Sequence, residues 1–157
     1  MISADNQQER LDALWIVGFV DGEGCFHVGF NKPRGYLQII PEFRIVQHQR
    51  DVELLQKIKN FFGYGLVTTN HDDRKEFRVR GLQNLQYIVQ FFRDHPLRTK
   101  KQNDFEKFAC IIQMLSEKKH RTPEGLQTII SLASTMNRQK RVSRILRDYT
   151  LDTLKIE

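Results

Sequence analysis

Alternating apolar and polar residues in two adjacent stretches constrain the fold of this chain most. Over residues 25–31, Phe26, Val28 and Phe30 fall on one side of an extended chain, and the intervening residues fall on the other. The alternation resumes over residues 36–49, after a turn that contains Pro and Gly. This is the pattern of strands that bury one face. The short connection predicts an antiparallel hairpin, because parallel strands need a longer crossover.

A second hairpin and a series of helices complete the predicted order. The strands of this hairpin are residues 65–71 and 75–80, with an acidic turn between them. Apolar residues at spacings of three and four, and capping residues such as Asp51 and Thr122, predict the helices. The helices cover residues 10–22, 52–62, 82–93, 103–118 and 123–136, and a last short helix is predicted in the basic segment that starts at Arg138.

This order of elements predicts one α+β domain over residues 1–157. Hairpins joined by helices form a four-stranded antiparallel sheet, and helices cover its apolar face. The two hairpins lie within residues 25–50 and 65–80, and the C-terminal helices lie within residues 103–150. A chain of 157 residues is long enough for one sizeable core.

Composition favours a nucleic-acid partner. The chain carries 25 Lys and Arg against 19 Asp and Glu, a formal charge of +6, and its isoelectric point is near 9.5. Cys25 and Cys110 are far apart and the five histidines show no metal-ligand spacing, so neither a disulfide framework nor a zinc site is expected. The N-terminus is polar and no apolar run has the length of a membrane span. We therefore expect an intracellular protein, in a prokaryotic cytoplasm or an organelle.

The polar side of the predicted sheet carries hydrogen-bonding side chains of several lengths. Such side chains match the donor and acceptor patterns that base pairs present in the major groove, where a β-ribbon can lie. Any sheet with one face in solvent also alternates polar residues, so this pattern alone is also consistent with a surface that binds nothing. The candidates for DNA binding on this face and its turns are His27, Asn31, Lys32, Arg34, Tyr36, Gln38, Glu42, Arg44, His48, Thr68, Asn70, Arg74, Lys75, Arg78 and Arg80.

The segment LWIVGFVDGEG, residues 14–24, ends an apolar helix in two acids separated by glycine. An acid at a helix C-terminus faces the negative end of the helix dipole, which is unfavourable unless a cation or a donor compensates. Magnesium prefers carboxylate and carbonyl oxygens, so Glu23 and the peptide oxygen of Gly22 make a partial site for it. One carboxylate is too few for phosphodiester hydrolysis. In the alternative interpretation, Asp21 is only a polar residue at the end of a helix, and Glu23 is a solvated acid in a loop.

This segment resembles the motif of the LAGLIDADG homing endonucleases, with Gly18, Asp21, Gly22, Glu23 and Gly24 in register. The segments FRIVQHQRD, GYGLV, PLRTKKQNDF and RTPEGLQTIISLA resemble the single-motif, rRNA-intron type in the same order. The resemblance implies an αββαββα core, motif helices that pack at a two-fold axis, and sheets that form a saddle over DNA. Because one motif occurs in this chain, it implies a homodimer, with an interface that includes Leu14, Trp15, Gly18, Phe19 and Asp21.

The same resemblance implies an intron-encoded endonuclease that cuts both strands of DNA at one site and leaves 3′ overhangs. Strands of about nine residues span about 30 Å, or about nine base pairs, so two halves read about 20 base pairs of a pseudo-palindromic target. The alternative on the same fold is an intron RNA maturase or a DNA-binding regulator that does not cut. Further basic contacts with DNA are expected from Lys101, Arg138, Lys140 and Arg141.

The resemblance also assigns roles in hydrolysis. Glu23 and Gly22 would bind a divalent metal, Mg²⁺ or Mn²⁺, and the acid is Glu where the best-known members of this type carry Asp. Gln47 would orient the water network, and Lys100 would stabilise charge near the scissile phosphate, although Lys101 could exchange roles with it. A basic residue expected just after the strand falls at position 50 or 51, and the chemistry favours position 50. The predicted catalytic residues are Glu23, Gln47, Arg50 and Lys100.

Overall fold

The computed structural model describes residues 11–32, 34 and 36–137, together with the backbone of residues 155 and 156. A helix followed by a hairpin occurs twice in succession, and further helices follow. The elements are α1 (Ala13–Glu23), β1 (Gly24–Asn31), β2 (Tyr36–His48), α2 (Val52–Phe62), β3 (Leu66–His71), β4 (Arg74–Val79), α3 (Leu82–Asp94), α4 (Lys101–Ser116), α5 (Pro123–Ser134) and β5 (Lys155–Ile156). Short 3₁₀ turns cover Gln49–Asp51 and Lys119–Arg121.

The four main strands form an antiparallel sheet in the order β1-β2-β4-β3, which confirms the predicted α+β class and sheet. The two hairpins join through β2 and β4, where Arg44 is the register partner of Arg78. The two-residue strand β5 adds a parallel contact at Tyr36 and Leu37, which the sequence did not predict. Both hairpins therefore contribute to one continuous polar surface.

Aromatic packing between the sheet and the helices forms the centre of the core. Phe26, Phe43 and Phe77 of the strands are fully buried, as are Phe92 of α3 and Phe108 of α4. The ring centroid of Phe26 lies 5.2 to 5.5 Å from those of Phe43, Phe92 and Phe108, within the separation that aromatic pairs favour. This packing holds α4 against β1, and with it the residues at the start of α4.

Local interactions explain where α1 begins and ends. The Asp12 side chain accepts a hydrogen bond from the Trp15 amide at 2.7 Å, and so satisfies a donor of the first turn. The helix runs through Gly22, which lies inside it and does not end it, and Gly24 starts β1 without an intervening loop. A Cβ on Gly24 would lie 2.5 Å from Val20 Cγ1. Glycine is therefore required for the strand to leave the helix this closely.

The predicted basic helix with Arg138, Lys140 and Arg141 lies outside the described residues. In the part of the chain that the structure describes, no helix combines the length and the apolar character needed to cross a bilayer.

Candidate active site and nucleic-acid interface

Glu23 is the last residue of α1, and its side chain is exposed. Helix α1 ends at the same end of the strands as Gln47. Gly24, the first residue of β1, is the register partner of Ile45, and Gln47 follows Ile45 by two residues on β2. The carboxylate of Glu23 thus lies at the negative end of the α1 dipole, where a cation is favoured.

Asp21 ties the end of α1 to the segment that precedes α4. Its carboxylate accepts hydrogen bonds from the Arg98 amide at 2.8 Å, the Thr99 amide at 3.1 Å and the Thr99 hydroxyl at 2.7 Å. Burial alone would raise the pKa of Asp21, but these hydrogen bonds outweigh it and lower the pKa below its usual value. The sequence predicted Asp21 for the dimer interface, and the structure gives its carboxylate this contact within the chain.

Lys101, and not Lys100, is the lysine that reaches the end of α1. Lys101 Nζ donates a hydrogen bond to the Val20 carbonyl at 2.8 Å, and its side chain is partly buried, whereas Lys100 is exposed. Burial lowers the pKa of Lys101, and the negative groups around it, which include Asp21 and Glu23, oppose that shift. The structure therefore places the Lys101 ammonium within electrostatic range of both motif acids.

The other two predicted catalytic residues lie beyond direct contact with this pair. Gln47 is partly buried near the end of β2, in register with Lys75. Arg50 is exposed in the following 3₁₀ turn, and its Nε lies 3.6 Å from a carboxylate oxygen of Asp51. Among the described residues, neither side chain forms a hydrogen bond or an ion pair with Glu23 or Lys101.

The donor set at this site fits a hard divalent cation only in part. The residues that the structure describes contain no cluster of three or more His, Cys, Asp and Glu side chains able to hold a metal. Magnesium sites on phosphate substrates commonly use one or two protein carboxylates, with phosphate oxygens and water completing the shell. Glu23, with the Gly22 carbonyl at the C-terminal end of α1, would supply the protein share of such a site.

Paired arginines and glutamates occupy the centre of the polar sheet face. Glu42 accepts a hydrogen bond from Arg80 Nε at 2.7 Å, and Arg44 Nε lies 3.3 Å from its other oxygen. Glu76 contacts Arg78 Nη1 at 3.1 Å and accepts from Asn70 Nδ2 at 2.8 Å in the same way. The sequence placed Glu42 among exposed DNA-binding side chains, whereas the structure buries it beneath two arginines.

The remaining predicted DNA-binding residues are spread along both hairpins. His48 Nε2 lies 2.9 Å from Asp73, and Lys75 Nζ donates to the Thr69 hydroxyl at 2.7 Å. Burial lowers the pKa of His27, Arg44 adds to that shift, and Glu42 opposes it. Thr68 is partly buried, and the exposed members of the set are Asn31, Lys32, Arg34, Tyr36, Gln38, Asn70, Arg74 and Arg80.

Helix α1 is apolar on two sides, and one of them is open. Ile16, Val17 and Val20 face the core, while the predicted interface residues Leu14 and Trp15 are 74% and 37% exposed. Phe19 stacks on Trp15 with ring centroids 4.9 Å apart, and a Cβ on Gly18 would meet no atom of the described residues within 4 Å. A helix that is apolar all round is normally buried on all sides. The Leu14, Trp15 and Gly18 face therefore lacks a cover among the described residues, whereas Phe19 beside it is partly buried against the core.

Sequence comparisons connect this arrangement with known proteins. The profile of the family described as LAGLIDADG endonuclease matches residues 16–112, more than half of the chain. The "Uncharacterized 50.9 kDa protein in ND4 intron 1" of Podospora anserina is 33% identical over 117 residues, which cover 71% of this chain and 26% of that protein. The "Probable intron-encoded endonuclease 2" of Neurospora crassa is 31% identical over 78% of this chain and 26% of its own. The chain thus spans about a quarter of the length of these curated relatives.

Solved structures share the fold over most of the chain. The homing endonuclease I-TnaI superposes with a TM-score of 0.84 and 47% identity, over 88% of this chain and 98% of that one. I-SmaMI bound to an uncleaved DNA target in the presence of calcium ions gives a TM-score of 0.82 and 27% identity, over 88% of this chain and 49% of that one. With the motif helix, both hairpins and most of α4 inside the profile match, the chain belongs to the LAGLIDADG endonuclease family.

Proposed function

We propose that this protein is an intron-encoded, site-specific endonuclease that cuts double-stranded DNA as a homodimer with the help of divalent metal ions. The observation that carries the proposal is the position of Lys101, which donates a hydrogen bond to the Val20 carbonyl at the end of α1, next to the exposed Glu23 and on a helix whose other apolar face no described residue covers. An acid and a lysine at that position, beside an arginine-rich sheet face, suit hydrolysis of a bound phosphodiester. Several relatives carry the name "Probable intron-encoded endonuclease" and another is named "DNA endonuclease I-CvuI", which supports the same activity.

The homodimer supplies what one copy lacks. One copy carries one candidate metal-binding acid, Glu23, and the face of α1 that the described residues leave uncovered ends beside it. Packing the α1 helices of two copies on that face would bury Leu14 and Trp15, and Gly18 permits a close approach of the two backbones. Two Glu23 carboxylates would then lie near the pseudo-two-fold axis of the DNA. The match to 49% of the I-SmaMI chain is consistent with two copies of this chain equalling one chain of that length.

The roles of the residues follow from their chemistry. When bound, Mg²⁺ or Mn²⁺ would lower the pKa of a water and neutralise charge on the phosphate. Glu23 and the Gly22 carbonyl would hold the ion, and Lys101 would stabilise the negative charge that develops on the phosphoryl group. Gln47, at the same end of the strands as Glu23, would orient water, and Arg50 would contact the phosphate from the turn that follows β2.

The sheet face would read the target in the major groove. Its arginine, asparagine, glutamine and lysine side chains can pair with base edges, and the exposed basic residues of the turns can bind phosphates. We expect a pseudo-palindromic site of about 20 base pairs and 3′ overhangs after cutting. I-SmaMI, which shares the fold, has been solved on an uncleaved DNA target with calcium ions, and this supports both the DNA partner and a divalent cation.

The decisive experiment incubates the purified protein and Mg²⁺ with a duplex library of randomised half-sites of about ten base pairs. Cut ends and retained fragments are both sequenced. Recurrent staggered ends at one symmetric site are the expected result. Fragments that are selected and bound but uncut would contradict the nuclease and favour the maturase or regulator.

Glu23→Gln tests the metal site directly. We expect it to abolish cleavage and leave binding to the selected site largely intact, because it removes a metal ligand and keeps the shape of the side chain. Glu124→Gln, an equal charge change at an exposed position of α5, is the matched control and should cut normally. Normal cleavage by Glu23→Gln would remove this residue from the active site.

A further inference from the structure

Two acids are buried on the face that the proposed function assigns to DNA. Glu42 and Glu76 are 5% and 3% exposed, and both belong to the polar side of the sheet. A carboxylate near DNA repels the phosphates, and a buried carboxylate is costly unless cations or donors compensate it. Their presence on this face indicates a role other than direct contact with DNA.

Glu42 lies beneath two arginines that extend past it toward solvent. Its Oε2 accepts a hydrogen bond from Arg80 Nε at 2.7 Å, and its Oε1 lies 3.3 Å from Arg44 Nε. The side chains of Arg80 and Arg44 are 51% and 29% exposed, against 6% for Glu42. The acid is thus covered, and the guanidinium groups form the layer that a ligand on this face would meet.

The contact through Nε leaves the terminal N–H groups of Arg80 able to bind a second partner, whereas Arg44 also makes a side-chain hydrogen bond with Cys25. Arginine has five N–H donors in one plane, and its bidentate contact with O6 and N7 of guanine is the commonest specific contact with a base. A long side chain that is already held in one orientation also loses less conformational entropy when it binds. An arginine oriented by a buried acid is therefore better prepared to select guanine than a free one.

Neighbouring like charges on the two strands are compensated by the same two acids. Arg44 and Arg78 are register partners on adjacent strands, so their like charges lie directly opposite each other. Without compensation the two side chains would separate. Glu42 contacts Arg44, and Glu76 contacts Arg78, so each acid holds one member of the pair.

We propose that Glu42 is a positioning residue for sequence recognition, which orients Arg44 and Arg80 so that they select guanine in the DNA target. This inference rests on the DNA-reading function proposed above, and it adds the base and the residue that sets the orientation. Arg80 makes an aligned hydrogen bond with Glu42, whereas Arg44 Nε is buried without one among the described residues. The base position contacted by Arg80 should therefore depend most on Glu42.

The test compares the sequence preference of Glu42→Gln with that of the unaltered protein, by selection of bound duplexes from the randomised half-site library. Glu53→Gln is the matched control, because it removes the same charge from an exposed position on α2, which packs on the other face of the sheet. We expect Glu42→Gln to lose roughly tenfold or more of the preference for guanine at one or two positions. Its affinity for random DNA should not fall, since the variant loses a negative charge. Glu53→Gln should keep the original profile.

Arg80→Ala identifies the position concerned. It should lose the preference for guanine at one of the positions that Glu42→Gln affects, and the double variant should lose little more at that position, because both changes remove the same contact. Additive losses at different positions would contradict the assignment of Glu42 to Arg80.

A cooperatively folded Glu42→Gln variant with an unchanged preference for guanine would overturn the proposal. Glu42→Asp decides the matter if the amide variant does not fold, because it keeps the charge but is one methylene too short to reach both arginines. It should weaken the same preference, and an unchanged profile would overturn the proposal. If the unaltered protein selects no sequence at all, the DNA-reading function itself fails, which is a distinct result.

Discussion

At the scale of the residue, the position of one lysine depends on where a helix starts. The sequence predicted a helix from residue 103 and favoured Lys100, whereas α4 begins at Lys101. Lys101 then shares a helical face with Phe105 and Phe108, at spacings of four and seven, and both phenylalanines are buried. Its side chain is carried inward to the Val20 carbonyl. The spacing was present in the sequence, but helix boundaries are the part of a prediction that the sequence fixes least well.

Lys101→Met and Lys100→Met separate the two lysines. If Lys101 stabilises charge on the phosphate, its replacement should lower the cleavage rate about a hundredfold or more, as expected for the loss of one stabilising donor. Lys100→Met, an equal loss of charge at an exposed position, should change the rate only slightly. Single-turnover cleavage of the selected site, with thermal unfolding as a control for stability, makes the comparison. Equal effects of the two variants would contradict a specific role for Lys101 and would indicate that both lysines only attract DNA.

At the scale of the element, periodicity predicted the order of helices and strands, but it did not predict how closely they join. Strand alternation and helical spacing both arise from the face that each element buries, so they appear in the sequence. The direct passage from α1 into β1 depends instead on the distance between Gly24 and Val20, which no local pattern records. Glu42 is a second example. The alternation placed it on the polar face, but its burial depends on Arg80, which directly follows the neighbouring strand β4, and local alternation does not reveal that contact.

Gly24→Ala tests the junction between α1 and β1. The new Cβ would lie 2.5 Å from Val20 Cγ1 and 3.0 Å from the Val20 carbonyl oxygen, so the helix or the strand must shift. We expect the free energy of unfolding in urea to fall by about 1–3 kcal/mol, as for other overpacked positions. Gly29→Ala, in the same strand, is the control, because its Cβ would have no neighbour closer than 3.5 Å and should change stability by less than about 0.5 kcal/mol. A loss that is no larger for Gly24→Ala than for Gly29→Ala would show that the junction yields without strain.

At the scale of the whole molecule, the open face of α1 is the feature that one copy of the chain leaves incomplete. The sequence predicted this stripe from Leu14, Trp15 and Gly18, and the structure adds that a separate set, Ile16, Val17 and Val20, faces the core. Two apolar faces on one helix imply two layers of packing, one within the chain and one beyond it. In the proposed homodimer, the second layer would come from a symmetry-related copy, which a single sequence indicates only through an apolar surface that its described residues leave uncovered.

Gly18→Leu distinguishes the packing of α1 within one copy from its packing between copies. Among the described residues, a Cβ at Gly18 meets nothing within 4 Å, so a leucine there should leave the fold of a single copy intact and favour the helix slightly. Across a two-fold axis the same side chain would hold the two helices apart, and sedimentation should show a monomer that has lost cleavage and keeps its helical circular dichroism. Gln127→Leu, which adds leucine to an exposed position of α5, should remain a dimer and cut normally. An active, stable dimer of Gly18→Leu would place the contact between copies elsewhere on the molecule, and the two Glu23 carboxylates would then need another route to the same stretch of DNA.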